Sequence, residues 1–294
     1  MVILSHYFTL EIQSGNSNAI YKTVSSLGGS MGLAIFFFLS GYGLMQSELR
    51  KPLTVWQFCR RRLSKVYVPV VLVTAIWLVA EYFFKGMLFD NWQHIVYILF
   101  WGFDDGALWF IKVIITLYAT FGVFAFLRGK NNALALYVFA ILIIGVYFLT
   151  GRYIGDFAPR SVPLFFLGVI CSLYPLDIKK LLVSLILIFV MTAIEQYITG
   201  GDTFLVKTII NLILIVGLLS LFCTNMASRI VLPAFLGSLS FDIYLVHNKV
   251  IDLIRNNIIC QSFWIWAITT LILSVVFYYI RNGIIRDRIK VKHS

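Results

Sequence analysis

The stretch Phe36–Pro69, FFFLSGYGLMQSELRKPLTVWQFCRRRLSKVYVP, decides how the chain is read. It begins inside an apolar run, leaves it through a polar segment around Lys51 and Pro52, and meets four cations before the next apolar run. Arg60, Arg61, Arg62 and Lys65 therefore stand where hydrocarbon gives way to water. On a helix, Arg61 and Lys65 are four apart and Arg62 and Lys65 three apart, which puts them on a shared face. Two uses fit that face. It can serve as a positive-inside anchor, or as a cradle for a phosphorylated ligand at the cytoplasmic surface, since guanidinium forks match phosphate oxygens. The break at Pro52 predicts a short interfacial helix over 53–63 that leads into the basic face.

The rest of the chain is as apolar as the ends of that stretch. Of its 294 residues, 60% are hydrophobic and 13% charged, with a mean hydropathy of +0.90. A soluble domain carries about a quarter charged residues, so a water-soluble reading is excluded. The apolar start lacks a charged n-region and a small-residue cleavage site, so it does not read as a signal peptide. The formal net charge of +11 does not point to nucleic acid, because the cations lie between apolar runs and at the C-terminus. That distribution orients a membrane protein. Cys59, Cys171, Cys223 and Cys260 show no metal-ligand spacing and read as ordinary small residues, so no metal is expected.

A hydrocarbon core about 30 Å thick takes about 20 apolar residues as a helix. Spans are predicted over 28–46, 66–84, 106–127, 132–150, 161–175, 181–198, 204–222, 238–256 and 262–280. Residues 1–10 form an apolar stub, covering about 15 Å as a helix. The expectation is an all-α polytopic membrane protein of about ten transmembrane helices, the first truncated at its N-terminal half, with 1–294 as one integral membrane domain.

The loops test that count. One alternate set holds Arg50, Lys51, Arg60, Arg61, Arg62, Lys65, Arg128, Lys130, Lys179, Lys180, Arg229, Arg281, Arg286, Arg288, Lys290 and Lys292. The opposite set holds only Lys22, Lys85, Arg152, Arg160, Lys249 and Arg255. This alternation places the 47–65 loop and the C-terminus in the cytoplasm. The 86–105 loop, with Trp92, Trp101, Asp104 and Asp105, is expected at the outer interface.

Ionisable groups inside a span cost a few kcal/mol, so each is a functional candidate. His6, in VILSHYF, has an ordinary pKa near 6.5 that suits proton abstraction from a hydroxyl; the alternative is a histidine bonded to a neighbouring helix. Ser240, Tyr244 and His247 are spaced four and three apart on one face, lining a cavity or knitting helices together. Lys112 either snorkels outward or points at a polar cavity. Ser40, Trp109, Lys112, Tyr244 and His247 are the candidate cavity-lining set. Asp242, Glu81 and Glu195 are expected at interfaces. Gly41 and Gly43 in LSGYG permit close helix approach without completing a small-xxx-small pattern. No nucleotide-hydrolysis signature is present, which argues against ATP-driven transport by this chain.

Taken together, SHYF, FFFLSGYGL, FCRRRLSKVYVP, ALWFIKVIITLY, FFLGVI and LGSLSFDIYLVHN resemble, in order and spacing, the acyltransferase type 3 family of integral membrane O-acyltransferases. The resemblance covers essentially the whole chain and favours the phosphate-cradle use of the basic face. It implies a bacterial inner-membrane enzyme with no permanently bound cofactor, using acetyl-CoA or another acyl-CoA as co-substrate. The acceptor it implies is a hydroxyl of a cell-surface or lipid-linked polysaccharide. His6 matches the family's essential histidine, proposed as base or proton shuttle. Arg61, Arg62 and Lys65 match its donor-binding basic motif, and His247 a frequent late-helix histidine. Two positions depart from the pattern. The arginine usual eleven residues before the histidine would precede Met1, and Lys65 stands where arginine is usual, keeping the charge without the fork. The alternative reading is a secondary transporter or flippase of lipid-linked glycan, against which the absence of an internal repeat counts.

Overall fold

The structure, a computed structural model, describes residues 2–16, 18–85, 109–153, 162–174 and 232–290. Among these residues every regular element is a helix. In chain order they are α1 (Val2–Gln13), α2 (Ala19–Arg50), α3 (Val55–Lys85), α4 (Trp109–Arg128), α5 (Asn132–Tyr153), α6 (Val162–Leu173), α7 (Leu232–Arg255) and α8 (Phe263–Lys290). Within them, Trp56–Ala80, Trp109–Arg128, Asn132–Tyr153 and Phe263–Gly283 are long and apolar enough to cross a membrane. Exposed Leu134, Tyr137, Ile141 and Phe148 on α5, and Trp264, Ile268, Ile272 and Tyr279 on α8, leave apolar faces suited to lipid.

Seven of the nine full spans predicted from the sequence fall on described helices. The other two, 181–198 and 204–222, lie outside the described residues, as do the 86–105 loop and Glu195. The predicted span 161–175 is a twelve-residue helix, Val162–Leu173, about 18 Å long. The stub forms a helix to Gln13 rather than ending at Leu10.

The separate interfacial helix expected over 53–63 is instead the first part of one continuous helix, α3. Nothing between Val55 and Lys65 is glycine or proline, so no residue there breaks the hydrogen-bond ladder. Thr54 and Gln57 cap the start: Gln57 N–H donates to Thr54 Oγ1 at 3.3 Å, and Thr54 N–H to Gln57 Oε1 at 3.4 Å. Pro69 lies inside α3. It has no N–H for the carbonyl of Lys65, so the basic face ends where the ladder lacks a rung.

The chain divides into two compact units. One comprises Met1–Ile12, Asn16–Leu63 and Trp109–Ala227; the other Gln13–Gly15, Ser64–Leu108 and Ser228–Ser294. The first unit is built on an unusually close pair, α2 and α6. A Cβ added at Gly41 would sit 2.1 Å from the Phe165 carbonyl oxygen, and one at Gly168 would sit 2.1 Å from that of Phe38. The two backbones touch, and only glycine leaves room. Gly43, two residues on, has nothing within 4 Å of its added Cβ. Around this pair an aromatic chain links the helices. Phe37 meets Phe110 at 5.2 Å, Phe58 meets Phe121 at 5.6 Å, Phe124 meets Phe139 at 4.8 Å, and Phe139 meets Phe166 at 5.4 Å.

In the second unit α7 packs on α8. Helix α7 ends in a Schellman cap: Ile258 N–H donates to Leu253 O and Asn257 N–H to Ile254 O, both at 2.9 Å, with Asn257 left-handed at φ 57°. Asp242, expected at an interface, is fully buried, and Arg281 Nη2 of α8 lies 3.0 Å from its Oδ2. This burial has a simple cause. A carboxylate shut away from water needs a counter-charge, and α8 supplies one.

Candidate active site

His6 rides on α1 between a face bonded to α2 and a face bonded within α1 and the turn after it. On one side Ser5 Oγ donates to the Ser25 carbonyl at 2.6 Å, and Thr9 Oγ1 lies 2.6 Å from Ser25 Oγ, holding α1 to α2. On the other, Tyr7 Oη donates to Glu11 Oε1 at 2.6 Å, and Asn16 Nδ2 donates to Glu11 Oε2 at 2.8 Å. Ser5/Thr9 and Tyr7/Glu11 are both i,i+4 pairs, and His6 falls on the face between them. The ring is half-buried, and the Ser5 and Thr9 bonds to Ser25 fix the rotation of the helix that carries it against α2.

The basic residues on α3 divide by exposure. Arg60, Arg61 and Lys65 are exposed, whereas Arg62 is half-buried. Arg62 lies within electrostatic range of the Tyr118 hydroxyl on α4, and the Ser40 hydroxyl on α2 lies near that same group. Phe165 of α6 brings its ring centroid to 6.4 Å from that of Tyr118. Four of the strings that carry the resemblance thus meet at one point: FFFLSGYGL, FCRRRLSKVYVP, ALWFIKVIITLY and FFLGVI. The cluster sets one cation and two hydroxyls in an apolar surround, where a charge interacts far more strongly than in water.

Helix α2 serves as a ruler for this unit. Gly29 lies against Ser5, with 3.3 Å between its added Cβ and the Ser5 hydroxyl. Ser40 is eleven residues further along α2, about 16 Å, and Glu48 eight more, about 12 Å. His6 and the Ser40–Tyr118–Arg62 cluster are therefore at different depths, with the cluster between His6 and the end of α2.

At that end Glu48 is buried, 7% exposed. Its Oε2 accepts from Leu53 N–H at 3.4 Å, and Arg128 acts on it electrostatically. Burial pushes its carboxyl above the ordinary range, against the lowering pull of the Leu53 N–H and Arg128. Glu48 and Arg128 line a groove of about 720 Å³ with Thr54, Trp56, Phe126 and Asn132.

The remaining candidates are more scattered. Trp109 and Lys112 lie in the first turn of α4, both half-buried. In the second unit, His247 is fully buried and Tyr244 half-buried, while Ser240 is exposed, so the expected stripe is not uniformly directed. His247 Nδ1 is 2.6 Å from the Tyr244 carbonyl. A carbonyl only accepts, so Nδ1 carries a proton and donates in this contact. Lys249 lies over the Trp77 ring, 5.5 Å from its centroid. Sequence reasoning passed over Tyr118, Glu48 and Arg128 as site residues. Glu48 did carry a signal, as the one acidic residue in Phe36–Pro69. Tyr118 carried none beyond its place at the end of ALWFIKVIITLY.

A family model described as an acyltransferase domain matches residues 1–280. No curated protein and no solved structure matches the chain.

Proposed function

We propose, from the premise that this chain belongs to the acyltransferase type 3 family, that it is a membrane O-acyltransferase drawing on cytoplasmic acyl-CoA. Its family makes it an acyl-transferring enzyme, and its apolar helices make it a multi-pass membrane protein. The donor, the acetyl group and the acceptor, a hydroxyl of a cell-surface or lipid-linked polysaccharide, belong to the proposal. So does the orientation, with the 47–65 segment and the C-terminus in the cytoplasm of a bacterial inner membrane.

One observation carries the reading. The half-buried Arg62 lies within electrostatic range of the Tyr118 hydroxyl, near Ser40, while Arg61 and Lys65 of the same helix stay exposed. Such a helix gives exposed cations to the phosphates of CoA and an inward cation to whatever follows them. In the reaction the acceptor hydroxyl oxygen attacks the thioester carbonyl carbon. A C–O bond forms, the C–S bond breaks, and the hydroxyl proton passes through His6 to end on the released CoA thiol. His6 acts as general base or relay, a role worth about 10²–10⁴ in rate. Lys65 holds charge without a bidentate fork, so Arg61 and Arg62 do more of the anchoring.

The test is acyl transfer from radiolabelled acetyl-CoA in membranes containing the chain and native glycan. Label is expected in glycan with the wild-type chain and not with His6→Ala at equal membrane abundance. Undiminished labelling by His6→Ala would overturn the histidine assignment. No labelling by abundant wild-type protein would overturn the enzyme reading in favour of a glycan flippase.

A further inference from the structure

The groove at the end of α2 has no part in the reaction just described, yet it has the size and lining of a ligand site. Its volume of about 720 Å³ lies within the roughly 300–1,000 Å³ usual for small-molecule pockets. One wall is the Trp56 ring, 74% exposed, and another is Phe126, 52% exposed. Between them stand Arg128, Asn132 and the buried Glu48. Lys130 sits over the Phe126 ring, 4.6 Å from its centroid, adding a second cation at the rim.

We infer that this groove holds the adenine-nucleotide end of the acyl-CoA donor, with Trp56 as the stacking platform and Arg128 as an anion contact. The inference rests on the donor proposed above and deepens it. Three features choose this occupant. A flat π-face beside paired donors and acceptors suits a nucleobase, which stacks through its face and hydrogen-bonds through its edge. Glu48 lines the groove with carboxyl oxygens that suit a base amino group. The cations needed next are in place, because Arg60 follows Trp56 by four residues on α3 and Arg61 by five, one to one and a half turns onward.

The α2, α3 and α4 helices that line the groove also carry Ser40, Arg62 and Tyr118. These lie eight, six and ten residues from Glu48, Trp56 and Arg128, or about 12, 9 and 15 Å along the respective helices. A donor lying base-first in the groove therefore runs its phosphates past the arginines and its pantetheine arm towards the Ser40–Tyr118 pair.

The experiment uses the full chain in nanodiscs of neutral phosphatidylcholine and, in parallel, with added anionic lipid. Binding of acetyl-CoA and of adenosine 3′,5′-bisphosphate is measured for wild type, Trp56→Ala, Trp56→Phe and Arg128→Gln. Transfer from acetyl-CoA is compared with transfer from acetyl-pantetheine, which lacks the nucleotide. Trp56→Ala and Arg128→Gln should each weaken nucleotide binding about tenfold, the scale of one base–aromatic stack. They should narrow the preference for acetyl-CoA over acetyl-pantetheine by the same factor, and Trp56→Phe should restore most of it. Unaltered nucleotide binding in both variants, with wild type binding normally, overturns the inference alone. Wild-type protein that binds no acetyl-CoA overturns the donor reading as well. Variants that differ from wild type only when anionic lipid is present overturn it in favour of a headgroup site.

Discussion

Replacing Gly168 with alanine would test whether the backbone contact between α2 and α6 sets the geometry of the site. The added methyl would lie 2.1 Å from the Phe38 carbonyl oxygen, whereas a carbon and a carbonyl oxygen ordinarily approach to about 3.3 Å. The helices must part by about 1.2 Å, and backbone atoms on both sides leave no side chain to swing away. Overpacking of this kind costs about 1–3 kcal/mol. Gly41→Ala meets the Phe165 carbonyl at the same 2.1 Å, so either variant forces the same separation, and the double variant should cost less than the sum. Parting α6 from α2 also withdraws Phe165 from Tyr118, so activity should fall further than stability. Thermal unfolding of detergent-solubilised protein gives the first quantity and glycan acylation in membranes the second. Both alanine variants melting and acylating like wild type would refute the claim that this contact supports the site.

Other perturbations probe separate parts of the molecule. Asp242→Asn or Arg281→Gln alone should cost about 3–5 kcal/mol by stranding a buried charge, whereas a matched apolar pair at both positions should be close to neutral; denaturation of the three variants checks this. Glu48 gives a pH signature. Its folded-state pKa is raised by burial, so the folded chain holds the proton more tightly than the unfolded one. Its contribution should be most favourable below about pH 4.5 and be lost as pH rises through the raised folded value. Glu48→Gln should flatten that stretch of the melting profile, and an unchanged profile would count against the burial effect. Ser5→Ala combined with Thr9→Val should loosen α1 from α2 and lower acyl transfer, with His6 chemically intact but less well aimed, in the glycan-labelling assay.

The helices were legible because the bilayer imposes a length, and apolar runs such as 106–127 and 132–150 match it directly. The basic face of α3 was legible for the same reason, since its cations interrupt the apolar pattern at one place. The continuity of α3 was not. Pro52 suggested a separate helix over 53–63, but the uninterrupted helix-compatible run after Val55 and the mildness of Pro69 within an apolar helix prevailed. Pairings between distant residues escaped altogether. Asp242 and Arg281, Gly41 and the Phe165 carbonyl, and Ser40 and Tyr118 become neighbours only once helices pack, and no periodicity within one segment encodes them. His6 and the Arg61–Lys65 face were singled out by their chemistry and given roles by family likeness, while Glu48, Tyr118 and Arg128 emerged from the fold.

The Asp242–Arg281 pair has a consequence for how the chain is made. The two residues are thirty-nine positions apart, and a ribosome adds about 5–20 residues per second. For about two to eight seconds the carboxylate of α7 exists before its guanidinium partner has been synthesised. A helix holding an uncompensated charge gains little by leaving the water-filled insertion machinery early. The pair therefore predicts that the two helices enter the membrane as a joined hairpin, α8 releasing α7.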